Sequence, residues 1–159
     1  VTSVVYRLQK LPELHLDYGN LRASLSGDDI SIADVRKAVI EIRRSKLPEP
    51  DEYGSAGSFF MNPVISTEQY EKLKSSYPDM PHYVVDDMHV KVPAGWLIDR
   101  CGWKGKSFGG AAVYEKQCLV LINKNNAKPN DVVALAEMIR KSVSDTYGIV
   151  INPEVNYIE

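Results

Sequence analysis

At 159 residues, 44% hydrophobic and 25% charged, the chain is long enough for a real core and fits one domain, or one and a piece. Its 19 Lys and Arg against 21 Asp and Glu leave a formal charge of −2, which gives no electrostatic footprint for nucleic acid or an anionic membrane, so an anionic ligand has to be held by a local cluster of cations. Cys101 and Cys118 stand in no C-x-x-C or zinc spacing and sit in apolar surroundings, the setting of reduced core thiols, while no run reaches membrane-span length and no secretion signal is visible.

The chain opens "VTSVVYRLQK", without an initiator Met, and its branched residues read as a β-strand entered part-way, as in an excised domain. "LPELHLDYGNL" is irregular, broken at Pro12 and Gly19, and carries Tyr18 on a turn. "SIADVRKAVIEIRRSKLPEP" predicts a helix: Ser31 and Asp34 cap it, Val35, Val39 and Ile42 make the apolar stripe, and Pro48 ends it. Arg43, Arg44 and Lys46 then crowd its last turn, where they either complement the helix dipole or form a phosphate clamp.

Next comes "GSAGSFFMNP", four small residues before Ser58, then two phenylalanines and an Asn-Pro step. Small residues let a backbone or ligand approach closely, so the stretch reads as a tight, glycine-rich turn presenting a hydroxyl, anchored by the aromatic pair. "STEQYEKLKSSYP" predicts a second helix capped by Ser66 and Gln69, with Tyr70, Leu73 and Tyr77 on one side. "HYVVDDMHVKVP" reads as a hairpin turning at Asp86-Asp87, and "AGWLIDRCG" as a short helix closed by Gly102. Two strands joined near Glu115 and Lys116 follow between Gly109 and Asn123. The longest helix starts at Pro129, faces Val132, Leu135, Ala136, Ile139 and Val143 inward and stops at Gly148; "IVINPEVNYIE" reads as a final strand carrying Glu154. The fold class expected is α+β, a mostly antiparallel sheet packed with helices.

Several chemistries are excluded by spacing. "YGSAG" has Tyr53 where a nucleophile elbow needs glycine, and "RCGWKGKS" has Arg100 where a phosphate-binding loop needs one. His15, His82 and His89 are scattered among solvated or packing positions with no metal-ligand spacing, and no G-x-G-x-x-G is present, so no dinucleotide is expected on a Rossmann unit within this chain.

"GSAGSFFMNP", "AGWLIDRCGWKG", "GGAAV", "LVLINKNNAK" and "PEVNYI", in this order and at these separations, resemble the C-terminal half of the bacterial UDP-N-acetylenolpyruvoylglucosamine reductases. "DYGNL" and "IRRSKLPEP" extend the likeness over essentially the whole chain, and the tyrosine loop resembles the subtype that folds such a loop over its substrate. Two positions depart from the family pattern: Met61 stands where many members carry lysine, and Asn156 where an arginine is common.

The resemblance implies an NADPH-dependent, FAD-containing oxidoreductase of cell-wall precursor synthesis, cytoplasmic and bacterial, which reduces UDP-N-acetylglucosamine enolpyruvate to UDP-N-acetylmuramate. It implies Ser58 as proton donor to the carbon beside the substrate carboxylate, and Glu154, with an arginine from outside this chain, as stabiliser of the charge developing on that carboxylate. Lys46 matches the lysine that meets the diphosphate, and Tyr18, Asn62, Lys104 and Gln117 match positions lining the uridyl and diphosphate pocket. The flavin belongs to an N-terminal domain joined in cis, so this chain is expected to bind neither cofactor and to be inactive alone. Residues 1–29 are then the end of that domain with the tyrosine loop, 30–148 the substrate-binding domain, and 149–159 a strand returning to the active site. A stand-alone nucleotide-sugar-binding module would keep Lys46, Asn62 and Gln117 but need neither Ser58 nor Glu154, and a purely structural interaction domain would need none of them.

Overall fold

The computed structural model describes residues 1–17, 20–27 and 29–158 and divides the chain into two units, Val1–Lys46 and Leu47–Glu159. In the first unit the strand expected at the start does not form. Val4 and Val5 are 60% and 95% exposed, because a strand exists only where a neighbour takes its N–H and C=O groups and this segment has none among the described residues. After a short 3-10 turn at Arg22–Ser24 comes helix α1, Ile32–Lys46. Its cap is the reciprocal one expected: the Ser31 amide donates to the Asp34 carboxylate at 3.0 Å and the Asp34 amide donates to Ser31 Oγ at 3.2 Å. The apolar stripe is less covered than its periodicity predicts. Ala38 is buried, Val35 and Ile42 are half-buried, and Val39 stays exposed, since a stripe is buried only where another element lies over it.

The second unit is built on two antiparallel sheets packed with helices, the α+β class expected. Strand β1, Gly54–Ser58, leads to β2, Val64–Ser66, and helix α2, Thr67–Ser76, whose amide at Gln69 is capped by Ser66 Oγ at 3.1 Å. The Gln69 side chain does not complete that cap; its Nε2 reaches the Gly148 carbonyl at 3.1 Å and ties α2 to the end of the last helix. The hairpin β3, Tyr83–Val84, and β4, His89–Lys91, turns at Asp86-Asp87 as expected. Helix α3, Ala94–Arg100, is followed by β5, Ser107–Phe108, β6, Ala111–Val113, and β7, Val120–Asn123. Helix α4, Pro129–Tyr147, ends at Gly148 with φ +64°, the left-handed cap that glycine takes without strain. The sheet orders are β1-β7-β6-β5 and β2-β4-β3.

Strands β6 and β7 read as continuous apolar runs because both of their faces are covered. Ala111, Val113 and Leu121 join the main core with Leu135, Ala136, Ile139 and Val143 of α4, while Ala112, Val120 and Ile122 turn to a smaller cluster with Tyr114 and Tyr53. Cys118 and Cys101 are free thiols; burial, then Asp99, pushes the Cys118 thiol up to about 11, so it is an inert core group. His82 stacks on the Tyr70 ring, centroids 4.3 Å apart, as a packing residue.

Where β5 turns into β6, the chain meets the start of α4 at two glycines. A Cβ on Gly110 would lie 2.5 Å from the Ala127 backbone, and the Gly110 amide donates to the Asp131 carboxylate at 3.2 Å, which also accepts the Lys128 amide at 3.0 Å. The Lys128 amide, then that of Gly110, holds the Asp131 carboxyl below its ordinary value. A depressed carboxyl adds stability that is full above the unfolded aspartate value, about 3.9, and is lost as pH falls through the lower folded one. Melting temperatures recorded from about pH 6 down to about pH 2.5 are therefore expected to fall less steeply below about pH 4 for Asp131→Asn than for the native chain, since the substituted amide carries no such proton equilibrium. Equal slopes would show that other carboxylates govern the acid limb.

Candidate functional site

The expected serine turn is instead an edge strand. Gly, Ser and Ala have weak strand preference, yet β1 pairs with β7 at Gly54↔Asn123, Ser55↔Ile122 and Ser58↔Val120, with Ala56 and Gly57 together facing the single residue Leu121. This is a β-bulge, and Gly57 sits in it with φ +76°, a conformation that a side chain would strain. A bulge bends its strand and re-aims the residues beyond it: Ser58 stays exposed at the strand end, while Phe59 and Phe60 plunge into the core at 4% and 1% exposure. Their rings meet edge to face, 5.1 Å between centroids, and anchor the hydroxyl-bearing residue from behind.

Each residue after Ser58 is held by a different part of the fold. The Phe59 amide donates to the Leu119 carbonyl at 2.7 Å, and the Phe59 carbonyl accepts from the Glu154 amide at 2.8 Å. Met61 donates to the Asn152 carbonyl at 2.9 Å, and the Pro63 carbonyl accepts from the Val92 amide at 2.9 Å. Between them the Asn62 Oδ1 accepts the Ala94 amide at 2.9 Å, satisfying a first-turn donor of α3 that Pro93 cannot cap with a side chain. That leaves the Asn62 amide nitrogen, a two-proton donor, with no partner among the described residues.

The final strand expected from Ile149 does not form as a strand. The contact reduces to one bridge, Phe60↔Pro153, flanked by the Asn152 and Glu154 bonds, because Pro153 has no N–H to extend the ladder. Its functional content is nonetheless local: Glu154, exposed, is hydrogen-bonded through its amide to the residue after Ser58.

Gln117 sits in the turn before β7, where its Oε1 accepts the Leu119 amide at 3.3 Å. A Cβ on Gly95, in the first turn of α3, would lie 3.4 Å from that oxygen, so Gln117 and Asn62 both stand at the α3 start. Lys104 is exposed in the turn after α3. Beside these two positions Gly105 and Lys116 line a cleft of about 200 Å³ with Tyr53 and Tyr114. The structure thus sets Ser58 and Asn62 on one short strut, with the segment of Glu154 hydrogen-bonded to it and Gln117 linked through Leu119. Lys46 lies in the last turn of α1, in the other unit, and Tyr18 lies outside the described residues. Gly57 and Gly95 escaped the sequence reading of the site, although the small-residue run around Gly57 was the signal for it. Among the described residues no three His, Cys, Asp or Glu side chains gather as for a metal, and no helix is long and apolar enough to cross a membrane.

A family model described as UDP-N-acetylenolpyruvoylglucosamine reductase, C-terminal domain, matches residues 49–158. Curated relatives bear the name UDP-N-acetylenolpyruvoylglucosamine reductase. The chain is 51% identical over 159 residues to one from Bacteroides fragilis, covering 99% of this chain and 48% of that protein. It is 44% identical over 162 residues to one from Flavobacterium johnsoniae, with 99% and 48% covered, and 49% identical over 144 residues to one from Pasteurella multocida, with 91% and 42% covered. The chain spans about half the length of the curated relatives it matches.

Proposed function

From the premise that this chain belongs to the UDP-N-acetylenolpyruvoylglucosamine reductase family, as its C-terminal domain, we propose that it is the substrate-binding part of an oxidoreductase that reduces UDP-N-acetylglucosamine enolpyruvate to UDP-N-acetylmuramate. In this organisation 1–29 closes a flavin domain, 30–148 binds the nucleotide sugar, and 149–159 returns to the active site. The enzyme works in the bacterial cytoplasm, where the precursor is made.

FAD and NADPH supply the hydride in this reading. The flavin is assigned in this reading to an N-terminal part joined in cis. The remaining chemistry belongs to this chain. Hydride addition to the enolpyruvyl double bond leaves a strongly basic, enolate-like carbon beside the carboxylate, and an alcohol held in line against it can give up its proton although it is a poor acid in water. Ser58 is that alcohol. Glu154 acts on the substrate carboxylate as charge develops there. The free amide nitrogen of Asn62, with Lys46, Lys104, Gln117 and Tyr18, binds the uridyl and diphosphate end.

The observation that carries the reading is the strut of residues 58–62, which sets an exposed hydroxyl beside the segment bearing Glu154 and is anchored by two buried rings. In the full-length protein, NADPH oxidation is expected to require the enolpyruvyl nucleotide, with UDP-N-acetylglucosamine acting as a competitive ligand and not as a substrate. Oxidation indifferent to the enolpyruvyl group overturns the proposal, and nucleotide-sugar binding with no NADPH oxidation at all favours the binding-module reading. Lys46→Ala is expected to weaken binding of UDP-N-acetylglucosamine roughly ten- to a hundred-fold, the loss of one charge-assisted contact of about 1.5–3 kcal/mol, as read by calorimetric titration. Unchanged affinity removes Lys46 from the pocket.

A further inference from the structure

The segment that carries Glu154 is a coil held to the serine strand by one bridge and its two backbone hydrogen bonds, so an anchor just outside that bridge can steady its register. Arg140, on α4, is placed to do so. Its Nε donates to the Ile151 carbonyl at 2.9 Å, three residues before Glu154, and its Nη1 is steered by the Glu137 carboxylate at 2.7 and 3.0 Å. The Arg140 side chain is only 30% exposed, so this charge-assisted bond to a carbonyl is partly shielded from water. Ile151 and Ile149 are fully buried beside it, which fixes the carbonyl in turn. On the far side of Glu154, Tyr157 packs against Phe59 with centroids 6.4 Å apart. Burial first, then the charge of Glu137, raises its hydroxyl above the ordinary value, while the charge of Arg140 opposes that shift. The guanidinium thus anchors the backbone three residues before Glu154, and the Tyr157 ring packs three residues after it.

We propose that Arg140 is a positioning residue for Glu154: its Nε–H bond to the Ile151 carbonyl steadies the register that the Phe60–Pro153 bridge and its two backbone bonds set between residues 152–154 and 59–61 beside Ser58. The inference rests on the function proposed above. It concerns geometry, where a displacement of about 1 Å at a reacting group can cost about 10²-fold in rate. A lysine at this position keeps the charge but loses the planar fork that contacts Ile151 and Glu137 together.

The test uses the full-length flavoprotein and separates its two half-reactions by stopped-flow absorbance. Arg140→Met is expected to leave flavin reduction by NADPH at the native rate, and to slow reoxidation by UDP-N-acetylglucosamine enolpyruvate about 10²-fold with KM for that substrate little changed. Arg140→Lys, which preserves the charge in the half-buried site, is expected to fold natively and fall in between. The deciding measurement is a double-mutant cycle with Glu154→Gln. If Arg140 works through Glu154, the Arg140 change adds little to the slowing that Glu154→Gln already causes. Full additivity, or equal slowing of both half-reactions, overturns the inference, and should Arg140→Met not fold, the cycle with Arg140→Lys decides in the same way. A native protein whose reduced flavin is not reoxidised by the enolpyruvyl nucleotide overturns the proposed function instead, so the two failures are distinct.

Discussion

Replacing Ser58 by alanine in the full-length protein is expected to lower reoxidation of the reduced flavin by UDP-N-acetylglucosamine enolpyruvate by about 10²- to 10⁴-fold, the usual contribution of a positioned proton donor. Reduction of the flavin by NADPH is expected to proceed at the native rate, because in the proposed mechanism the hydroxyl meets only the second substrate. Binding of the nucleotide should also survive. Ser58 is exposed and its side chain anchors no neighbour in the described structure, whereas the backbone around it is held by the Leu119, Glu154 and Asn152 bonds that an alanine retains. The position tolerates a methyl group in place of CH2OH for the same reason that it suits chemistry: the support lies in Phe59 and Phe60, behind it. Stopped-flow traces for both half-reactions decide the matter. Native reoxidation in Ser58→Ala would assign the proton to water or another group, while a parallel loss in both half-reactions would point to a disturbed fold.

Phe60→Ala is expected to carry the largest stability cost of any change near the site, about 3–5 kcal/mol, against the 5–15 kcal/mol that a native domain typically has in total. Phe60 is 1% exposed in a cluster with Val92, Leu97, Ile98, Ile149 and Ile151, so its removal leaves a cavity bounded by a strand end, a helix and the C-terminal segment. It is also the partner of Pro153 in the one bridge that joins that segment to the serine strand. Urea titration is expected to show a lower midpoint with little change in slope. A loss below about 1 kcal/mol would mean that the neighbours collapse into the space. Its neighbour Met61, 46% exposed, lies outside this logic.

How far the sequence could be read depends on the range of the forces involved. Helices α1, α2, α3 and α4 were legible because their signals are local: Ser31 with Asp34, Ser66 with the Gln69 amide, Pro129 at the start and Gly148 at the stop all act within a few residues. The hairpin at Asp86-Asp87 was legible on the same ground. Strand β1 was not, since Gly-Ser-Ala-Gly-Ser has little tendency to extend and becomes a strand only through its pairing with β7. The branched opening residues failed in the opposite sense, having strand preference and no partner among the described residues. Pro153 made the last segment a coil with one bridge, although its apolar residues resemble a strand.

For the site, the sequence by itself determined which groups are available: one serine among small residues, two rings behind it, an asparagine before a proline, and a glutamate after another proline, in the order that marks the family. Tertiary structure alone decided that they meet. The bulge at Gly57 against β7, the bond from Glu154 to Phe59 and the capping of Ala94 by Asn62 all join segments far apart in the chain. Such contacts form only once the core has met the entropy cost of closing the loops between them, and no periodicity or capping pattern along the sequence records which carbonyl a distant donor will find.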